Sequence, residues 1–530
     1  MPDAVVIGAG PNGLVAANHL VDKGWSVVVV EAADQPGGAV RSAELTVPGF
    51  VHDVFSAFYP LAVASPAIRD LNLTDFGLRW RQSALVLAHP MLDGRCASLA
   101  VDLDTTAASV DGFGPGDGAA WKSMIGEWDR ISEPFLNALL GPFPPVRPAA
   151  ALARRLGIKG TLRFARHALL PVRTMAEQMF QGVGAGLLLG GSALHADLCP
   201  EGAGSGLYGW ILSCLGQRHG FPVPESGAGE LTAALVRRLE SKGGQVVCGR
   251  RVTRVVVERG RAVGVETTDG PVGAGRAVLA DVAAPSLFLD LVGGQHLPAD
   301  FVADLRSFQW DTATVKVDWA LSRPVPWQSP EAVEAGTVHI ADDFDNLTEF
   351  AAHLAMGRIP ARPFLLFGQQ SRADPSRSPA GTETAWAYTH VPRLVRGDAA
   401  GQIDLYPGAG QKDWLVPLVE RIEARVERLA PGFRDLIIGR HVTGPEDFEA
   451  ADSNLVGGAI GGGTAQLHQQ LVFRPVPGSG RPATPIAGLY LASASAHPGG
   501  GVHGAPGANA ARAALQGSRR RRRVTWPADR

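Results

Sequence analysis

Three glycines and one acid carry the first chemical signal in this chain. Gly8, Gly10 and Gly13 stand in the run Gly8-Ala9-Gly10-Pro11-Asn12-Gly13, between the apolar Ala4-Val5-Val6-Ile7 and the helix-like Leu14-Val15-Ala16-Ala17. After Gly24 comes a second apolar run ending in Val27–Val30, closed by Glu31. A G-x-G-x-x-G expression alone says little in a glycine-rich chain. In the order strand, turn, helix, strand, acid it is a dinucleotide fingerprint. Gly8 permits the tight turn, Gly10 lets backbone approach a pyrophosphate, and Gly13 lets the helix pack on the strand. The helix N-terminus offers unpaired N–H groups to phosphate, and a carboxylate at Glu31 suits ribose hydroxyls. A second turn follows at Gly37-Gly38, with Arg41 placed to pair with a phosphate.

The far end of the chain carries a matching signal. Gly488 to Ser493 reads as a strand, His497-Pro498-Gly499-Gly500-Gly501-Val502-His503-Gly504 as a loop, and Ala505-Pro506-Gly507 as a helix start. Gly499, Gly501 and Gly504 fit the same expression, but they do not directly follow a strand end, and too little chain remains for another strand and acid. A glycine loop still lets backbone approach a flat ring, and a helix start points positive charge at it. His497, His503 and the strand residue Lys316 are the candidate proton-handling groups, the histidines for their intrinsic pKa. Against each stands a structural role: a loop histidine bonded to backbone, a lysine in a salt bridge. His52-Asp53 is a further polar pair to place near the ligand.

These groups need elements to hold them. The helix marked by Leu231, Leu235 and Leu239, the strands Gln245–Cys248 and Val252–Val257, turns at Arg259-Gly260 and Asp269-Gly270, and the apolar Ala277–Ala280 read as the return of the chain to the first sheet. The dinucleotide domain is therefore expected to be discontinuous. Ala313–Ala320 reads as a strand whose apolar positions alternate with Lys316 and Asp318, and Leu415–Leu429 as an amphipathic helix. Between Leu152 and Leu169 a rough apolar stripe is interleaved with Arg154, Arg155, Lys159, Arg163 and Arg166, interrupted by Gly157 and Gly160. A solvated helix face is the plainer reading; contact with an anionic membrane surface is the other. Arg519–Arg523 reads as the core of a solvated, disordered tail.

Composition narrows the classes. With 45% hydrophobic and 19% charged residues the 530-residue chain is globular and long enough for two or three domains. A net charge of −2 gives no field for nucleic acid, and none is expected as a partner. Cys96, Cys199, Cys214 and Cys248 are too far apart for a redox pair or a zinc knuckle. No metal site is expected. The early first strand and the unpaired cysteines lead to the expectation of a cytoplasmic protein without a secretory leader, peripheral to the inner membrane face if the basic segment touches lipid. There is no G-x-S-x-G elbow, H-E-x-x-H or Walker loop.

With both ends read together, the chain resembles the FAD-dependent phytoene desaturase-like oxidoreductases. The residues that carry the resemblance are GAGPNG with Glu31, the Gly37-Gly38 and Arg41 element, Asn454-Leu455-Val456-Gly457-Gly458, Arg474-Pro475, and TPIAGLYLASASAHPGGGVHGAPG at 484–507. The resemblance implies FAD, contacted by Gly8, Ala9, Gly10, Pro11, Asn12, Gly13, Glu31, Gly38, Arg41 and Ser493. Val252 matches the position whose backbone meets the adenine, and His497–Gly504, with Gly501 and Val502, the segment beside the flavin ring. Pro224–Gly229 departs from the adjacent glycines that relatives typically carry. The fold implied is α/β: a discontinuous Rossmann-like, glutathione reductase-type FAD domain (1–64, 221–287, 439–516), an inserted α+β substrate domain (65–220, 288–438) and a basic tail (517–530).

The activity so implied is dehydrogenation, desaturation or isomerisation of a lipophilic substrate (polyene-, retinoid- or lipid-like), with hydride passing to flavin N5. An amine oxidase-like enzyme and a flavoprotein with mainly regulatory or interaction roles are the alternatives. Oligomeric state is not legible.

Overall fold

The computed structural model describes residues 1–405 and 410–524. Ala4–Ile7 is buried at all four positions and is the centre of a five-stranded sheet. The strand order is Leu489–Leu491, Ala277–Ala280, Ala4–Ile7, Val27–Val30, Gln245–Val247, every pair parallel. Strands buried on both faces are continuous apolar runs, as these are. Ile7 lies opposite both Val30 and Ala280. Gly8, Glu31 and Asp281 therefore leave the sheet along one edge, its carboxyl end, where α/β sheets bind ligands. The helices Pro11–Val21, Gly229–Ser241 and Ala505–Val524 belong to the same core. The first and the last of these helices touch closely: a Cβ on Gly507 would stand 1.9 Å from the Asn12 carbonyl oxygen. Only glycine allows that approach. The expected meander is present as an antiparallel three-stranded sheet, Val252–Glu258, Arg261–Thr267 and Gly270–Gly273.

A second, seven-stranded sheet runs in the order Ile437–Thr443, Ala313–Leu321, Glu383–Val391, Leu365–Gly368, Ala335–Ile340, Leu85–Pro90, Cys96–Leu99. The helices Asp117–Leu140, Val183–Ala193 and Ser205–His219 build one core with it, and Gln411–Leu429 another. Two expectations change here. Ile437–Thr443 pairs with Ala313–Leu321, so 439–443 belongs to this sheet and not to the dinucleotide unit; its long partner strand, not local composition, decides its place. Ala313–Leu321 itself is the strand expected and is buried at all nine positions, so the alternation with Lys316 and Asp318 marks an internal polar face. The final helix continues through Val524, past residue 517 where the disordered tail was expected; arginine is a good helix former on a helix already anchored by Ala505–Ala514. Residues 525–530 lie outside the described residues.

The two sheets meet at a seam of buried charge. Arg377 donates to both carboxylate oxygens of Asp53 at 3.0 and 3.1 Å and to Asp374 at 3.0 Å. Asp53 also accepts from Ser42 Oγ and from the Ala228 N–H, and its carbonyl accepts from Lys316 Nζ at 3.0 Å. Lys316 is ion-paired with Asp318, which faces His52 Nδ1 at 3.5 Å. All six side chains are fully or nearly fully buried. Removing one partner leaves the others charged in a medium that does not solvate them. Arg377→Met is expected to lower stability by about 3–5 kcal/mol, read as the shift in the denaturant midpoint; a change under about 1 kcal/mol would show that the seam does not hold the sheets together.

Candidate active site

One cavity of about 1530 Å³ collects the residues singled out in the sequence. Its wall includes Gly8, Gly10, Pro11, Asn12, Glu31, Gly38, Arg41, Val252, Ser493, His497, Gly501, Val502, His503 and Lys316. Ala9 and Gly13 are not on the wall but shape it. Gly8 adopts φ +89°, and a Cβ on Gly13 would stand 2.2 Å from the Gly8 carbonyl oxygen. A Cβ on Gly38 would come within 3.1 Å of the Gly10 Cα, so the second glycine turn lies directly on the first. The Glu31 carboxylate accepts from the Ala9 N–H at 2.7 Å and the Ala33 N–H at 2.9 Å. Each oxygen keeps a lone pair for a hydroxyl. Arg41 donates to the carbonyls of Gly38 and Ala451 and lies 5.1 Å over the Phe55 ring. It forms the wall of this turn, with the buried Asp452 carboxylate as its electrostatic neighbour.

Two helix N-termini converge on the cavity, Pro11–Val21 and Ala505–Val524, so two positive dipole ends face the same space. Between Glu31 at one end and the His497–His503 segment at the other, the cavity joins an adenosine-type site to a glycine-lined site for a flat ring. The cradle that side chains would fill at Gly8, Gly10, Gly13 and Gly38, and the distance between the two ends in sequence but not in space, fit FAD. The residues named would hold it; bound there, it supplies a two-electron acceptor.

Asp281 was not foreseen. It follows Ala277–Ala280 and accepts from the Gly13 N–H at 2.7 Å, in the angle between the first strand and its neighbour. Burial, with Asp452 and Glu31 nearby, pushes its pKa up to about 8, against the opposing Gly13 N–H. A protonated carboxyl there keeps one negative charge away from bound phosphates. The switch point of a parallel sheet is the signal that could have found it, had the strand order been known. Asn454 ties the same corner, its side chain accepting from the Ala283 N–H and donating to the Asp281 carbonyl. Arg474 was noted only as part of the resemblance. It is 1% exposed, lines the cavity, and donates to the carbonyls of Gly461, Gly462, Gly463, Thr464 and Ala494 with no carboxylate partner among the described residues.

The three candidate proton carriers all reach the wall, but their partners differ. His503 Nδ1 accepts from the Ala505 N–H at 3.1 Å and its Nε2 meets the Gly500 carbonyl at 3.3 Å, so it caps the last helix as a neutral ring. Lys316 is held by Asp318 and the Asp53 carbonyl. His497 alone keeps a buried Nε2 without a partner, and burial lowers its pKa to about 4. His52 and Asp53, proposed as a pair near the ligand, lie in the seam and off the cavity wall.

Residues 6–71 match the family model of an NAD(P)-binding Rossmann-like domain. The chain is similar to pyridine nucleotide-disulfide oxidoreductase domain-containing protein 2 of Rattus norvegicus, 28% identical over 96% of this chain and 92% of the relative. It is 25% identical to a phytoene desaturase (lycopene-forming) of Paracoccus sp., covering 95% of each. A putrescine oxidase variant of known structure is similar in fold, with TM-score 0.60 at 17% identity over 98% of this chain and 99% of that one. The resemblance read in the sequence thus extends along nearly the whole chain.

The Asp281 proton has a measurable consequence. Its folded pKa stands above the ordinary carboxylate value of 3.8, so the folded chain binds a proton that the unfolded chain releases between about pH 4 and about pH 8. Its contribution to stability therefore falls as pH rises through that window. The stability difference between the native chain and Asp281→Asn, measured by urea denaturation without added cofactor, is expected to fall steadily from pH 4 to pH 8 and to level off above. Parallel curves for the two proteins would mean that Asp281 is ionised throughout.

Proposed function

We propose that this chain, an FAD-dependent oxidoreductase similar to the phytoene desaturases, dehydrogenates, desaturates or isomerises a lipophilic substrate. Bound FAD supplies the hydride acceptor at its N5. The observation that carries the reading is that the cavity lined by His497 and His503 is also lined by the apolar Leu139, Leu140, Leu207, Ile211, Leu212 and Leu215, which form its chamber wall. Such a lining selects apolar ligands and excludes water from the reacting bond. His497, with its free ring nitrogen, is the residue placed to take a proton when a C–H bond is broken. In this reading the second sheet and its helices are a substrate domain inserted into a glutathione reductase-type FAD domain.

The chamber is poorly suited to a protonated amine. Arg474 is a buried cation on its wall, while Lys316 is already paired with Asp318. Asp311 accepts from the N–H groups of Ile460, Gly461 and Gly463, and Asp197 from that of Ala465. An ammonium would meet the Arg474 charge and compete with those N–H groups for carboxylate lone pairs.

The approach of a lipid is provided by the helix Val146–Leu169. None of its residues is buried, and it bends at Gly157, where φ is +67°. Ile158 and Leu162 are exposed beside the exposed Arg154, Lys159 and Arg163, a basic amphipathic face that suits an anionic bilayer. Leu467 and Leu471 are both exposed and on the cavity wall. Gly204, which packs on Leu467, donates to the carbonyl of Leu169 at the end of that helix. No helix among the described residues is long and apolar enough to cross a membrane, so contact would be peripheral.

Two measurements test this reading. In anaerobic mixtures the oxidised flavin band should bleach with at least one polyene, retinoid or isoprenoid lipid. Peroxide release with amines instead would establish the amine oxidase alternative, and a flavin that no candidate bleaches would establish a non-catalytic role. For the membrane, Arg154→Gln, Lys159→Gln and Arg163→Gln together should weaken cosedimentation with phosphatidylglycerol vesicles by ten-fold or more, on the order of 1 kcal/mol per basic residue; unchanged cosedimentation would leave the helix a solvated face.

A further inference from the structure

The chamber has a polar floor. Trp386, Tyr388 and His390 alternate along the strand Glu383–Val391 and all line the cavity. Trp386 and Tyr388 are stacked with centroids 5.9 Å apart, and Tyr388 meets His390 edge-on at 5.6 Å. The register sets Lys316 opposite Tyr388 on one side and Leu366 on the other. Leu366 in turn lies opposite His339. The apolar side chains of the helix Ser205–His219 form the wall, while this sheet face supplies polar groups.

Several polar atoms here lack partners among the described residues; Trp386 Nε1 and His390 Nε2 are buried without one. The Tyr388 hydroxyl has no hydrogen bond among the described residues, and burial raises its pKa, so it is a neutral phenol and a donor. His195 and His339 share one hydrogen bond between their Nε2 atoms at 2.9 Å. Burial keeps both rings neutral, His195 with a pKa lowered to about 3 and His339 lowered well below the ordinary value. One Nε2 therefore carries the shared proton and the other accepts it. His339 Nδ1 is buried without a partner, and a Cβ on Gly191 would stand only 2.2 Å from it. An orphaned N–H there would cost more than an orphaned lone pair. His339 thus donates from Nε2, and His195, accepting at Nε2, carries its own hydrogen on Nδ1. His195 is on the cavity wall, and its one hydrogen bond among the described residues is the Nε2 contact to His339. His390 lies between the two donors, in contact with the Tyr388 ring and near enough to His195 to disfavour its protonation.

We propose that Tyr388 and His195 are specificity-determining donors for an oxygen of the substrate, so that the substrate is an otherwise apolar alcohol, aldehyde or ketone rather than a hydrocarbon or an amine. The proposal rests on the lipophilic reading above and narrows it. A carbonyl or hydroxyl oxygen has two lone pairs and can accept from both groups. A hydrocarbon pressed against the same floor leaves two donors unpaired in an apolar chamber, the situation in which a site rejects an analogue that lacks the expected polar atom. Neutral donors also favour a neutral acceptor over an ammonium, which offers only hydrogens.

The test compares farnesol with β-farnesene, which differ chiefly in the presence of the oxygen, by equilibrium dialysis of each from cyclodextrin against the full-length FAD-loaded chain. Farnesol is expected to bind at least about ten-fold tighter. Tyr388→Phe, which removes only the hydroxyl, should reduce that ratio several-fold, weakening farnesol and relieving the penalty on β-farnesene, and His195→Leu should reduce it in the same sense. The native ratio decides the substrate class even if a variant does not fold. Equal binding of both lipids overturns the oxygen-recognising floor and leaves the lipophilic reading standing. A preference for farnesol that survives both substitutions overturns the assignment to these residues. Binding of neither lipid, together with a flavin that no lipid bleaches, overturns the lipophilic reading and this inference with it.

Discussion

Asp53 is out of reach of solvent, and the rest of the molecule is arranged so that its charge is tolerated. Its carboxylate takes bonds from Arg377 in the connection between two strands of the second sheet, from Ser42 in the short strand paired with its own, and from the N–H of Ala228, where the helix Gly229–Ser241 begins. Its carbonyl fixes the Lys316 ammonium. Three chain segments far apart in sequence are thus tied to a single residue. An ion pair this deep is weak evidence for net stability, because taking the charges out of water is costly. What it does is penalise any arrangement in which the sheets slide, since every alternative leaves a bare charge inside. The cavity, which uses both sheets for its walls, depends on that fixed relation.

Charge along the cavity follows the same logic. The pyrophosphate end has two helix N-termini and a carboxylic acid held neutral by burial at Asp281. The ring end has Arg474, a buried cation whose hydrogen bonds among the described residues all go to carbonyl dipoles, with Asp311 and Asp197 farther off. Burial lowers its pKa, but a guanidinium remains charged far above neutral pH. Fixed positive potential in a dry wall favours electron density nearby. The site is organised to receive negative charge at both ends, phosphate at one and transferred electrons at the other.

The parts of this site that were legible in the sequence are those encoded by neighbours. The first glycine turn, Glu31 and the second turn with Arg41 fall within one βαβ unit and its exit, where spacing alone implies geometry. The C-terminal glycine segment was legible because a loop between strand and helix restricts what its glycines can do. Asp281 was missed because its partner, the Gly13 N–H, is 268 residues away. Tyr388 and His195 were missed for the same reason: a strand and a helix end become one floor only through pairing of the second sheet. His503 and Lys316 were found as candidates by residue type, and type could not show that a helix cap and an ion pair already engage them. The alternation at Lys316 and Asp318 is a period of two, which reports that a strand has two unlike faces but not whether the polar face meets water or an internal seam.

Order of synthesis gives the first sheet a further property. Ala4–Ile7 needs Ala277–Ala280 as its neighbour, and that strand needs Leu489–Leu491, while Gly507 must seat against Asn12. At ribosomal rates of roughly 5–20 residues per second the opening strand waits on the order of half a minute or more for its last partners. Until then one edge of the young sheet offers unpaired backbone to any passing strand. The cavity that suits the flavin is walled by both ends of the chain, so it is complete only once Gly507 has seated against Asn12, after nearly all of the chain has been made.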